Sequence, residues 1–407
     1  MPPPGWDAAE LARLLEALDA ASGSSRYVGG WVRDSLAGAP PGDLDIATRL
    51  PPDEVRRRAE TAGLPVWSSP SGLAHGTVGV VIGGRSVEVT TLRRDVTTDG
   101  RRATVAFTDD WAEDAARRDF TFNALSADPS SGLVHDHFGG VADLSAGQVR
   151  FIGDPLARID EDHLRILRFF RFHARFGRGA PAAADYDACA ARANGLMALS
   201  RERIADELLK LLGCAQPTAA LRLMLDRDIL RPVLPEIDAA GVARTEALIA
   251  AEASAGISGD SVRRLAALLP ADRADAIAAR LKLSNALRKR LAAAIAPTPP
   301  MAPRALAYRL GAEAAIDRLL LNGDPAAARA LAGWAPPRLP ISGGALVARG
   351  IAAGPLVAQA LKAVESQWIA EDFPAAARVE ALADQIAAEL LQEQRKSKAA
   401  SGSSGGA

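Results

Sequence analysis

Apolar residues recur at helical spacing over residues 7–21, where Leu11, Leu14, Leu15 and Leu18 share a face and predict an amphipathic helix. The period then shortens. Arg26–Val28 running into Gly29-Gly30 predicts a short strand and a glycine turn, and Trp31–Gly38 a helix that Gly38 ends. In Asp43–Thr48, Leu44 and Ile46 alternate with Asp43 and Asp45, so a strand there sends both carboxylates to one face and the apolar side chains to the other. Pro51-Pro52 with Asp53 and Glu54 opens a helix that reaches Gly63. Two alternating runs flank Gly83-Gly84 between Gly76 and Arg94, the pattern of a β-hairpin.

Beyond about residue 152 strand signals become scarce. Ala-, Leu- and Arg-rich helical pattern follows, broken by Pro and Gly near 177–181, 213–217, 297–303, 335–344 and 354–355, with no fixed-period repeat. A helix starting near 160 carries Leu164, Ile166, Leu167, Phe169 and Phe170 around much of its circumference and should be largely buried. Arg165, Arg168, Arg171 and Arg175 nevertheless share about a third of that circumference. Guanidiniums on such a helix need partners, and a triphosphate is one. The layout is a small α+β head followed by an all-α remainder, with a flexible Ser/Gly-rich end at 396–407.

Totals narrow the class. A chain of 407 residues predicts two or three domains, and 48% hydrophobic with 24% charged residues describes a globular protein. Cys189 and Cys214 cannot build a disulfide framework and form no CxxC pair, which fits a reducing cytoplasm. The N-terminus lacks a basic start and a continuous apolar segment, so no signal peptide is expected, and no apolar run predicts a membrane span. A net charge of −1 argues against a protein wrapped in nucleic acid but leaves a local basic groove open. Arginine supplies most of the positive charge; that suits bidentate phosphate and base contacts, although a GC-rich genome produces the same bias.

Gly29, Gly30 and Arg33 just ahead of Asp43 and Asp45 read as a phosphate cradle followed by a divalent-cation site. Glu88, on the second hairpin strand, supplies a third acid, and three acids beside a glycine turn suggest two-metal phosphoryl transfer. His135-Asp136-His137 reads as a structural turn rather than a metal site, and His75 as a residue that orders the hairpin.

The stretch "YVGGWVRDSLAGAPPGDLDIAT" resembles the signature of the CCA-adding tRNA nucleotidyltransferases and their bacterial poly(A) polymerase relatives, the class II branch of the polymerase-β-like superfamily. "HGTVGVVIGGRSVEVTTLRRD", "RRDFTFNALSAD", "HDHFGGVADL", "EDHLRILRFFRFHARF" and "RERIADELLKLL" resemble further family segments in the right order, so the likeness runs over about residues 26–235. The resemblance implies an N-terminal helix (1–24), a polymerase-β-like nucleotidyltransferase head (25–150), a helical neck with a nucleotide-selecting helix (151–215), a tRNA-binding body and tail (216–395) and the flexible end. It implies template-independent addition of C, C and A to the tRNA 3′ acceptor end from CTP and ATP, with pyrophosphate released and Mg²⁺ as cofactor. Oligomeric state stays open.

By the same resemblance Asp43 and Asp45 bind metal and Glu88 is the third catalytic acid. Gly29, Gly30 and Arg33 contact the triphosphate, and Arg118, Asp119 and Asn123 lie near the sugar. Asp162 and Arg165 read the base, with Arg168 and Arg171 as further nucleotide contacts. The polar segment from Thr90 to Phe120 resembles the flexible loop of the CCA-adding enzymes, with Asp99-Gly100-Arg101 as its motif. That loop weighs against the poly(A) polymerase and CC-only alternatives. An A-adding-only enzyme and an inactive RNA-binding scaffold also stay open, the latter disfavoured by the intact Asp43, Asp45 and Glu88.

Overall fold

The computed structural model describes residues 5–99 and 102–402, which form two compact units. One runs to Val242 and includes Ala276–Leu283; the other takes Ala243–Asp275 and the chain from Ser284 onward.

The first unit opens with α1 (Ala8–Ala17), β1 (Ser25–Val28), α2 (Gly30–Leu36), β2 (Asp45–Thr48) and α3 (Pro52–Thr61). It continues through β3 (Val66–Trp67), α4 (Pro70–Ala74), β4 (Thr77–Ile82), β5 (Arg85–Thr91), β6 (Arg93–Asp99), β7 (Arg102–Phe107) and α5 (Trp111–Ala116). β8 (Ser126–Ala127), β9 (Val134–His135) and α6 (Gly140–Ala146) precede α7 (Pro155–Glu161), α8 (Leu164–Phe176), α9 (Ala183–Ala191), α10 (Arg201–Leu212) and α11 (Thr218–Asp226).

Seven strands pair in the order β3-β4-β5-β2-β1-β8-β9, with β2 parallel to β5 and the other neighbours antiparallel. Alternation decides its faces. Ile46, Val78, Val80, Ile82, Val87 and Val89 are fully buried, as are Leu14, Val55 and Ala59 of α1 and α3, and α3 packs on β4 and β5. Each of these Val, Leu and Ile side chains contributes about 1.5–3 kcal/mol. Glu88 is exposed, because it points to the opposite face. Gly83 and Gly84 both have positive φ (57° and 78°) and close the β4–β5 hairpin, as a primed turn requires.

Three local expectations change. The strand begins at Asp45 rather than Asp43, because β1 turns away at Gly29 and offers Asp43 no partner; Asp43 sits in the preceding bend. Within the polar segment expected to be a flexible loop, Arg93–Asp99 and Arg102–Phe107 pair as a second, two-stranded sheet; Gly100 and Arg101 of the expected motif lie outside the described residues. The helix expected from about 160 is two helices, with Asp162 extended between them (φ −157°, ψ 104°).

Phe120, Phe122, Phe151, Phe169 and Phe172 form one aromatic core, with Phe120 lying 4.8 Å from Phe151 and 5.4 Å from Phe172 between ring centroids. It fastens the Arg118–Asn123 segment to α8.

Among its described residues the second unit is helical. Glu252 and Asp317 receive the buried Arg263 at 2.8 and 2.7 Å, and a separate core surrounds Trp368 and Val364. Its last helix, Ala376–Gly402, runs into the stretch expected to be flexible, since Lys396, Lys398, Ala399 and Ala400 keep good helix propensity there. Among the described residues no helix is long and apolar enough to cross a membrane.

Candidate active site

A cleft of about 800 Å³ opens in the first unit. Gly29, Gly30, Arg33, Asp43, Asp45, Arg118, Asp119, Asn123, Asp162, Arg165, Arg168 and Arg171 all line it, so twelve of the thirteen residues expected from the sequence meet in one place. Glu88 does not line it. Asp34, Gly42, Arg117, Phe172 and Lys210 do; each lies within a family-like segment of the sequence, but none had been assigned a role.

The glycine-turn end of the cleft follows from β1. Gly29 takes φ +66° and ψ −127°, a conformation that favours glycine, and a Cβ there would come 3.1 Å from Arg118 Nη1. The backbone turns into α2 and carries Arg33 into the interior. Arg33 is buried, donates through Nε to Asp34 Oδ1 (2.8 Å) and through Nη1 to Asn123 Oδ1 (2.5 Å), and lies 4.9 Å over both Phe172 and Phe176. Burial pulls its pKa down, and Asp34 opposes that shift.

Asp43 and Asp45 form the acidic corner. Burial first, then Glu88 and Asp43, push the Asp45 carboxyl up to about 6, with Arg118 pulling the other way. Glu88 is its lateral neighbour on β5, one strand outward on the same face. Among the described residues no group of three His, Cys, Asp or Glu converges closely enough to hold a metal, so Glu88 does not complete a preformed cage. The corner still fits a divalent cation: two hard carboxylates share an opening, and their mutual repulsion is relieved by a positive ion.

Beyond the corner the polar groups interlock. Asn123 Nδ2 donates to Asp119 Oδ1 (2.8 Å), and Arg168 Nε donates to Asp119 Oδ2 (2.6 Å). Arg171 Nε donates to Glu207 Oε2 (2.6 Å), and Arg175 Nη2 to Asp34 Oδ2 (3.0 Å). Burial alone would raise the Asp119 pKa; Arg168, Asn123 and the Phe120 N–H outweigh it and hold the group below the usual carboxylate range. Asp114 is likewise held down against its burial, by Arg118 and Arg117.

These contacts correct two expectations. The α8 arginines were expected to need partners, with a triphosphate as one; each has a protein carboxylate already, because Glu161, Asp119, Glu207 and Asp34 converge on that stripe. Asp162 and Arg165 were expected on one helical turn facing each other. Arg165 Nη1 instead donates to Glu161 Oε2 (2.5 Å), while Asp162 Oδ2 accepts from Arg203 Nη2 (2.7 Å) and Oδ1 from the Leu164 N–H (3.1 Å). The break at Asp162 lets its side chain turn toward α10. A signal for α10 was present: Arg203, Glu207 and Lys210 fall at helical spacing on an amphipathic helix, and Glu207 is buried there among Ile204, Leu208 and Leu211.

Outside the cleft, His135 ends β9, and Asp136 accepts from the N–H groups of Gly140 (2.9 Å) and Val141 (3.0 Å), capping the turn that follows. The His75 carbonyl accepts from the Arg93 guanidinium beside the hairpins.

With this geometry in hand, the chain was compared with known proteins. Residues 25–150 match the poly A polymerase head domain, and residues 186–240 the probable RNA and SrmB-binding site of polymerase A. A mouse (Mus musculus) protein, CCA tRNA nucleotidyltransferase 1, mitochondrial, is 34% identical over 380 residues, which cover 88% of this chain and 86% of the relative. The CCA-adding enzyme of Levilactobacillus brevis is 38% identical over 215 residues, 52% of each chain. The crystal structure of the Bacillus stearothermophilus CCA-adding enzyme in complex with CTP superposes with a TM-score of 0.69 at 26% identity, covering 96% of this chain and 99% of that one.

Proposed function

The chain belongs to the CCA tRNA nucleotidyltransferase family, and from that premise we propose that it adds C, C and A to the tRNA 3′ end from CTP and ATP, releasing pyrophosphate. The observation that carries this reading is the single cleft on which the glycine turn, Asp43, Asp45 and the Asp162–Arg165 segment all open. Residues 25–150 act as the nucleotidyltransferase head, 151–215 as the neck, and 216–395 as the tRNA-binding body and tail. Cys189 and Cys214 are thiols rather than a disulfide, which supports a reducing compartment such as the cytoplasm, although the mouse relative is named as mitochondrial.

In this reading the triphosphate contacts Gly29, Gly30 and Arg33, and the sugar lies near Arg118, Asp119 and Asn123, all of which line the cleft. Asp43 and Asp45 would hold divalent cations, Mg²⁺ in this reading, which would supply neutralisation of charge on the triphosphate and the attacking oxygen. Glu88 adds negative charge beside them. The ion pairs of Arg168 and Arg171 make those residues walls of fixed shape, which orient the nucleotide for in-line attack by the RNA 3′-hydroxyl.

Selection of the base follows from donor and acceptor order. Cytosine presents an amino group beside a ring acceptor, and adenine does the same; uracil and guanine present the reverse. Asp162 can accept only and Arg165 can donate only, and each has capacity left beyond its bond to Arg203 or Glu161, so the two together match C and A where both reach the base. With U or G, like groups would face each other and stay unpaired. Asp162→Ala is therefore expected to lower CTP and ATP use and to narrow their advantage over UTP and GTP by about 1–3 kcal/mol. Incorporation of all four nucleotides on tRNA ending at the discriminator base checks this. A variant that keeps the full wild-type preference would remove Asp162 from base selection.

A further inference from the structure

Four in-register positions cross the sheet from the cleft to its edge. Asp45 on β2 is level with Glu88 on β5, Glu88 with Gly79 on β4, and Gly79 with Trp67 on β3. Laterally paired residues project to the same face, so the acidic corner and the indole share one surface. Gly79 leaves that surface bare, and the indole covers it: a Cβ at Gly79 would fall 2.1 Å from Trp67 Cε2. Trp67 Nε1 donates to Ser86 Oγ (2.8 Å), which satisfies the ring's single polar atom and anchors it. The residue remains 47% exposed. Successive strands lie about 4.8 Å apart, so Gly79 is about 10 Å from Asp45.

In-line displacement gives this row a direction. Gly29, Gly30 and Arg33 follow β1, on one side of β2, so the departing pyrophosphate lies on that side. The attacking hydroxyl must then come from the opposite, β5 side. The cleft includes Asp45 and stops short of Glu88, leaving Glu88, Gly79 and Trp67 on the approach of the acceptor strand. An anchored, half-exposed indole is the kind of surface on which proteins stack unpaired bases, and stacking tolerates any base. That tolerance suits an acceptor whose last base changes with each addition.

We propose that Trp67 is a stacking platform for a base near the single-stranded 3′ end of the acceptor RNA, a reading that rests on the nucleotide transfer proposed above. Trp67→Ala should raise the KM for tRNA about ten-fold, leave the KM for CTP unchanged and be rescued by Trp67→Phe. Unchanged tRNA KM in the folded Ala variant, or an equal rise for CTP, would overturn the assignment. Because the Ala variant could disturb the sheet edge, a second readout uses Trp67→Phe: wild-type fluorescence should be quenched by tRNA lacking its CCA end, and the quench should shrink in the Phe variant. An identical quench in both proteins would also overturn it. CCA addition by the wild-type enzyme is scored in the same assays, so failure of the stacking site and failure of the proposed activity give different results.

Discussion

Asp45→Asn is expected to lower nucleotide incorporation about a thousand-fold, equivalent to about 4 kcal/mol of transition-state stabilisation, and yet to raise the melting temperature at neutral pH in a chelator. The two effects have one cause. Asp45 is desolvated beside Glu88 and Asp43, and its carboxyl is pushed up from 3.8 to about 6. Below pH 3.8 the group is protonated in both folded and unfolded chains and costs nothing. As pH rises through about 6 the folded protein must take on the charge, and the stability associated with the neutral form is lost. The Asn variant escapes that loss, so its advantage should appear between about pH 4 and pH 6 and persist above. Adding Mg²⁺ should stabilise the wild type and leave the variant unmoved. Melting curves across pH, with single-turnover incorporation, check the set. An Asn variant with normal turnover, or with a lower melting temperature at neutral pH, would contradict the acid's assignment to the reaction.

Asp119→Ala should act in the opposite sense, on the fold. Asp119 is buried and holds Arg168, Asn123 and the Phe120 N–H at 2.6, 2.8 and 2.9 Å. Removing it leaves a guanidinium on α8 without its closest counter-charge, which costs about 3–5 kcal/mol. For a unit of this size that lowers its melting transition by about 10 °C. Because the Asp119 pKa is depressed, the stabilisation it gives is present above the ordinary carboxylate range and is lost as pH falls below it. The wild-type and Ala curves should therefore converge in acid. Thermal unfolding followed at neutral and acid pH would show it, and an Ala variant as stable as the wild type at neutral pH would mean that Glu207, 4.0 Å from Arg168, suffices as its counter-charge.

What the sequence made legible was whatever short-range chemistry controls. The β4–β5 hairpin was readable because Gly83-Gly84 sits between two alternating runs, and the glycine turn at Gly29 because only a residue at ease with positive φ ends β1 that way. Partnerships across the fold were not readable. Asp162 and Arg203 are separated by 41 positions, and Arg175 and Asp34 by 141, so no local spacing announces either pair. The break between α7 and α8 was hidden for a related reason: "EDHLR" contains no Gly or Pro, and the extended backbone at Asp162 is held by bonds to Arg203 and the Leu164 N–H. The polar run after Leu92 looked like a loop because a two-stranded ribbon needs no buried face, and polar alternation without an apolar side gives no strand signal.

The central claim, CCA addition by this chain, is tested most directly with the full-length protein and tRNA that ends at the discriminator base. CTP alone, ATP alone and both together are supplied, and the products are sized on a sequencing gel. The account predicts extension by two residues with CTP, none with ATP alone, and three with both, after which extension stops. A ladder of adenylates from ATP alone, or no extension under any condition, would contradict it.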